Sequence, residues 1–96
     1  MQVNVRFYGF VRDVIGASGF FLEMPPSSTI RDLLGQLVKA FGERLRERLL
    51  TAGGDLETNV RIFIGDDQAV NLEEQLGEPI GAAEVKIFVL SATAGG

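Results

Sequence analysis

A chain of 96 residues with 46% hydrophobic content has room for one compact domain with a modest core. Its 13 acidic and 9 basic residues give a net charge of −4, which argues against a nucleic-acid surface and is compatible with a basic protein partner. The absence of Cys, His and Trp excludes thiolate nucleophiles, disulfides, imidazole bases and the usual transition-metal sites.

The first residues, Met1-Gln2-Val3-Asn4-Val5-Arg6, lack the basic stretch and apolar core of a leader, and the apolar run at 87–90 is far too short to span a bilayer. A cytoplasmic protein with no membrane partner is expected. Val3, Val5 and Phe7 alternate with Asn4, Arg6 and Tyr8, which predicts a strand over 2–8 broken by Gly9. Phe10/Val11 and Val14/Ile15 recur at helical spacing before Gly16, so a short helix is expected with both pairs on one side. Phe20, Leu22 and Met24 share one face of a second strand ended by Pro25-Pro26, pairing antiparallel with the first.

Thr29 followed three residues later by Asp32 reads as a capping box with Asp in the usual Glu/Gln position. Behind it, Ile30, Leu33, Leu34, Leu37, Val38 and Phe41 form the apolar stripe of one amphipathic helix, read as core packing on a sheet. Gly42 interrupts it, and Leu45, Leu49 and Leu50 continue a shorter helix with Arg44 and Arg48 in solvent. The small and polar residues of 51–58 predict a flexible loop.

Val60, Ile62 and Ile64 then alternate with Arg61 and Phe63, and Val85, Ile87 and Val89 alternate with Lys86, Phe88 and Leu90. Between these strands, Gly65-Asp66-Asp67 reads as a turn, 68–71 as a short return strand and 72–76 as one helical turn. Asp66 and Asp67 are adjacent in a turn with no third ligand, so turn chemistry explains them better than a metal or an acid/base pair.

Runs of strands around one strong helix indicate an α+β fold, a mixed sheet with that helix across one face. A long helix-bearing connection lets the first and last strands lie parallel at the centre, which is the ubiquitin-like β-grasp arrangement. With Val3, Val5, Phe7, Val60, Ile62, Ile64, Val85, Ile87 and Val89 towards the helix, Tyr8, Phe63, Phe88 and Leu90 point the other way. They form an exposed apolar patch, or residues 68–80 fold back and cover part of it.

Domain 1–90 is followed at 91–96 by Ser91-Ala92-Thr93-Ala94-Gly95-Gly96, a tail with nothing to pack and a reach on the order of 20 Å. With Gly at 12 of 96 residues, Gly-Gly alone would end roughly one such chain in 64, so what precedes it has to decide.

The ordered set of Val3-Asn4-Val5-Arg6-Phe7-Tyr8, Val11-Arg12-Asp13-Val14-Ile15-Gly16, Ser28-Thr29-Ile30-Arg31-Asp32-Leu33-Leu34, Glu84-Val85 and Gly95-Gly96 resembles the MoaD/ThiS sulfur carriers over essentially the whole chain. The nearest types are the small subunit of molybdopterin synthase and the carrier of bacterial cysteine biosynthesis. The first type usually has prolines after the last strand and a Gly-Asp-Glu-Val turn before it. Here stand Ser91-Ala92-Thr93-Ala94 and Gly81-Ala82-Ala83-Glu84-Val85, while loop 51–58 and Asn59 to Asp67 lean towards the cysteine type.

What the resemblance implies is a non-catalytic carrier that binds no cofactor or metal. An ATP-dependent MoeB/ThiF-like enzyme would adenylate the Gly96 carboxylate, and a sulfur donor would displace AMP to leave a thiocarboxylate. Gly95 and Ala94 would thread the partner's channel, and Phe63, Phe88 and Leu90 would dock the domain. Molybdopterin (molybdenum cofactor) biosynthesis is the first expectation, with a molybdopterin synthase large subunit as sulfur acceptor. Cysteine biosynthesis, with a cysteine synthase as acceptor, and thiamine biosynthesis are alternatives. So are a ubiquitin-like modifier conjugated to lysines and a plain interaction module.

Overall fold

A computed structural model describes residues 1–77 and 83–90. Its elements run β1 (Gln2–Gly9), α1 (Val11–Ile15), β2 (Gly19–Glu23), α2 (Ile30–Phe41), α3 (Glu43–Leu49), β3 (Val60–Ile64), β4 (Asp67–Gln68) and β5 (Ala83–Val89). The five strands form one sheet in the order β2-β1-β5-β3-β4. As expected, β1 and β5 pair in parallel at the centre, and β1 and β2 are antiparallel. The chain has the ubiquitin-like β-grasp architecture.

Period-two alternation fixes the two faces of the sheet. Val3, Val5 and Phe7 of β1, Val60 and Ile62 of β3, and Val85, Ile87 and Val89 of β5 are buried together with Ile30, Leu33, Leu34 and Leu37 of α2. Leu45 and Leu49 of α3 join the same core, and Phe41 sets its ring edge-on to Phe7 and Phe20.

The first turn of α2 has every backbone donor satisfied. The Thr29 hydroxyl accepts from the Asp32 N–H at 3.2 Å while the Asp32 carboxylate accepts from the Thr29 N–H at 2.9 Å, so the capping box closes with Asp. The N–H groups of Ile30 and Arg31 donate to the carbonyls of Glu74 and Leu72, at 2.9 and 2.8 Å. These last two bonds come from a segment that the sequence reading misplaces.

The return strand is Asp67–Gln68 and not 68–71, and 72–76 forms turns and not a helical turn. The Asn71 side-chain oxygen accepts from the Glu73 N–H at 2.8 Å and its own N–H donates to the Glu74 carboxylate at 2.9 Å, a reciprocal pattern like that at Thr29 and Asp32. No helix follows it, because the carbonyls of Leu72 and Glu74 accept from the amides of Arg31 and Ile30 instead. The spacing of Leu72 and Leu76 serves burial under the start of α2, where Leu76 N–H also reaches the Ser28 carbonyl. Arg31 clamps the crossing through Glu73, at 2.7 Å for the closest nitrogen. That hydrogen bond, and then the charge of Glu73, raises the Arg31 pKa above its ordinary value.

Two further expectations are corrected. Phe10 precedes α1 and is 43% exposed, so only Val11 of that pair is buried. The loop at 51–58 is a hydrogen-bonded turn in which Thr51 N–H donates to the Asp55 carbonyl at 2.7 Å and Glu57 N–H to that of Leu49 at 2.9 Å. No helix among the described residues is long and apolar enough to cross a membrane.

Candidate functional site

The sheet face away from α2 carries the aromatic residues singled out in the sequence. Tyr8 and Phe88 are register partners across the parallel pair, and their rings stack at 4.5 Å with 11° between planes. Phe63, one strand further and one register step back, meets the edge of Phe88 at 5.5 Å. All three are half-buried.

Of the segment 68–80 expected to cover part of this patch, the described residues 68–77 lead away from it, and 78–80 lie outside the described residues. After Gln68, Ala69 N–H still bonds the Ile62 carbonyl, but Ile62 faces the core, and residues 72–76 cross to the start of α2 on the helix side. The patch is framed by charge. Lys86 lies 3.5 Å from Asp66 and 3.7 Å from Glu84, and Arg61 donates to the carbonyls of Thr58 and Val60 at 2.6 and 3.0 Å.

Leu90 is 46% exposed and stands at the root of the tail. Its N–H donates to the Asn59 carbonyl at 2.9 Å, one step beyond the last β3–β5 register pair, so the ladder holds the chain up to this residue. On the other side, Phe10 N–H reaches the Val89 carbonyl at 3.3 Å. Gly9 makes that approach feasible: it has φ of +79°, and a Cβ built there would lie 2.1 Å from the Val89 oxygen. The sequence shows Gly9 as a strand breaker but gives no sign of this second role.

The structure thus brings Phe63 and Phe88 into contact and adds Tyr8 to them, with Leu90 following β5 on the same strand face. Ala94, Gly95 and Gly96 lie outside the described residues. Asp66 is engaged with Lys86, and the described residues contain no group of three or more acidic side chains able to hold a metal.

No protein-family model and no curated protein matches the chain by sequence. Solved structures match it by shape. Small archaeal modifier protein 1 (SAMP1) from Haloferax volcanii superposes with a TM-score of 0.81 at 18% identity, covering 96% of this chain and 98% of that one. The solution structure of the protein of the same name from Methanosarcina acetivorans gives 0.75 at 19% identity, over 99% and 96%. A protein from Pyrococcus furiosus described as a molybdopterin converting factor, subunit 1, gives 0.72 at 21% identity, over 93% and 97%. The fold expected from the resemblance to MoaD-type proteins is therefore present: the chain shares, over nearly its full length, the ubiquitin-like β-grasp fold of the small archaeal modifiers and of a MoaD-like factor.

Proposed function

We propose that the chain is a ubiquitin-like carrier that works through the carboxylate of Gly96 and leaves catalysis to its partners. The observation that carries this reading is the stacked Tyr8–Phe88–Phe63 patch on the face of a β-grasp sheet away from α2, beside the strand that leads through Leu90 to the small-residue tail. A rigid apolar patch gives a partner enzyme a place to hold the domain. A tail of residues no larger than threonine then enters a narrow channel without steric penalty.

The chemistry follows from the carboxylate. With a reference pKa of about 3.5 it is ionised at neutral pH, and as an anion it is a poor acyl electrophile. The partner therefore activates it with ATP: a carboxylate oxygen attacks the α-phosphorus, pyrophosphate leaves, and the acyl group is bonded to AMP. A sulfur nucleophile then attacks the carbonyl and AMP departs, leaving the Gly96 thiocarboxylate to donate sulfur in a second enzyme. In this role the chain needs no Cys or His, binds no cofactor itself, and uses Phe63, Phe88 and Leu90 for docking and Ala94-Gly95 for threading. Molybdopterin synthesis is the first pathway to test, with cysteine and thiamine synthesis as alternatives.

The names of the Haloferax and Methanosarcina structures favour a second reading, a modifier whose Gly96 acyl adenylate passes to a lysine amine and forms an amide. Intact mass separates the two. The protein is incubated with ATP, sulfide and each candidate activating enzyme; replacement of one terminal oxygen by sulfur supports the carrier, and attachment to other proteins in cell extracts supports the modifier. If no activating enzyme changes the mass and deletion of Gly95-Gly96 has no functional consequence, the reading fails.

A further inference from the structure

We propose that the outer edge of β2 is a self-association surface, on which two copies of the chain pair antiparallel about Phe21 and join their sheets. The two sheet edges differ in a way that points here. β4 is only two residues long, a form of edge that offers little to an approaching strand. β2 runs five residues in unbroken register with β1, without bulge, proline or lysine.

The β1–β2 register decides which backbone groups are open. Phe7 N–H bonds the Ser18 carbonyl and Met24 N–H the Met1 carbonyl, so the even-numbered residues of β2 turn their amides inward, and Gly19, Phe21 and Glu23 turn theirs outward. Among the described residues these outward groups have no backbone partner. A twofold centred on Phe21 places Phe21 against Phe21 and Gly19 against Glu23, all in hydrogen-bonded register.

The same symmetry makes the side chains complementary. Phe21 is 64% exposed on the face away from α2, an apolar ring with nothing over it. Arg6, the β1 partner of Gly19, is exposed on that face and has no acidic partner among the described residues. Gly19 puts no side chain beside Arg6: a Cβ there would stand 3.3 Å from the Val5 carbonyl oxygen and 3.8 Å from Arg6 Cδ. Glu23 of the second copy lies opposite that glycine, so its carboxylate meets the Arg6 guanidinium, and the twofold makes this pair twice. The Glu23 carboxylate accepts from the Met1 ammonium through Oε2 at 3.2 Å, and Oε1 has no partner among the described residues.

Antiparallel strand pairing has its twofold perpendicular to the sheet, so both Tyr8–Phe88–Phe63 patches face the same side. The two β5 strands stand five strand spacings apart, roughly 24 Å. The carrier surface is left open in both copies, so this association is independent of the function proposed above.

Sedimentation equilibrium of the full chain from micromolar to millimolar concentration tests it. The mass should rise with concentration from 10.4 kDa towards twice that value. Phe21→Lys, which sets two ammonium groups against each other at the twofold, should remain at the lower mass throughout. Glu23→Arg and Arg6→Glu should each weaken association about tenfold, and the double variant should regain most of the loss. A wild-type chain that stays at the monomer mass overturns the proposal, as does a dimer that survives Phe21→Lys. So does a charge-swapped double variant as weak as the single ones, a comparison that decides the matter even if Phe21→Lys fails to fold.

Discussion

Gly9→Ala should be among the most damaging single-methyl additions in this domain. An L-residue at φ of +79° costs about 1 kcal/mol, and the new Cβ would stand 2.1 Å from the Val89 carbonyl oxygen. That oxygen belongs to the backbone of the central strand and cannot swing away like a side-chain tip. Relief requires the ends of β1 and β5 to part, which breaks the bond from Phe10 N–H to Val89, worth about 1 kcal/mol, and loosens the packing of Val11 and Val89 at similar cost. The total of about 3 kcal/mol lowers the melting temperature by roughly 15 °C in a domain of this size. Gly16→Ala is the control, because Gly16 has φ of +72° with nothing within 4 Å of an added Cβ. It should cost only about 1 kcal/mol, or roughly 5 °C. Thermal unfolding by circular dichroism compares the two, and melting points within a few degrees of each other would refute the steric argument.

Thr29→Ala removes the acceptor for Asp32 N–H and should destabilise by about 1 kcal/mol. Combined with Asp32→Ala in denaturant titrations, the loss should be less than additive, since the two side chains cap reciprocally. Ser27, with φ of +66° in the turn closed by Ser28 N–H on the Pro25 carbonyl, should gain about 0.5 kcal/mol as Ser27→Gly, read as a small rise in melting temperature. Phe88→Ala removes the ring that Tyr8 and Phe63 both pack against, should cost about 2 kcal/mol, and should slow charging by the activating enzyme beyond what a folded-fraction correction explains. Gly96→Ala should leave the melting curve unchanged and abolish charging; a fully charged variant by intact mass would refute the channel argument.

Much of the architecture was legible because this sheet buries one face and α2 one stripe. Alternation through Val3-Val5-Phe7 and Val85-Ile87-Val89 permits one register of faces, and a slip of one residue would expose the whole set. The capping box at Thr29 and Asp32 was equally readable, since its partners are three residues apart. The crossing at 69–76 was not. Leu72 and Leu76 have helical spacing, and only the long-range bonds of Leu72, Glu74 and Leu76 to Arg31, Ile30 and Ser28 show that the segment covers the start of α2. The patch was legible as a set of positions, but its geometry was not, since the stacking of Tyr8 on Phe88 depends on the parallel register of two strands far apart in the chain.

The central position of β5 also bears on how the chain is made. β5 is the last of the described strands in sequence, yet it lies between β1 and β3, so the middle of the sheet cannot assemble until residues 83–89 have been synthesised. Every β1–β5 register pair, from Val3↔Ala83 to Gly9↔Val89, joins residues far apart in sequence, the kind of topology that folds slowly. During synthesis β1 and β3 wait with open edges, and a chain stopped before residue 83 lacks the strand that joins the two halves of the sheet. Under the function proposed above, a partner that grips the Tyr8–Phe88–Phe63 surface before it reaches the residues beyond Leu90 would select molecules whose sheet is complete over partial ones.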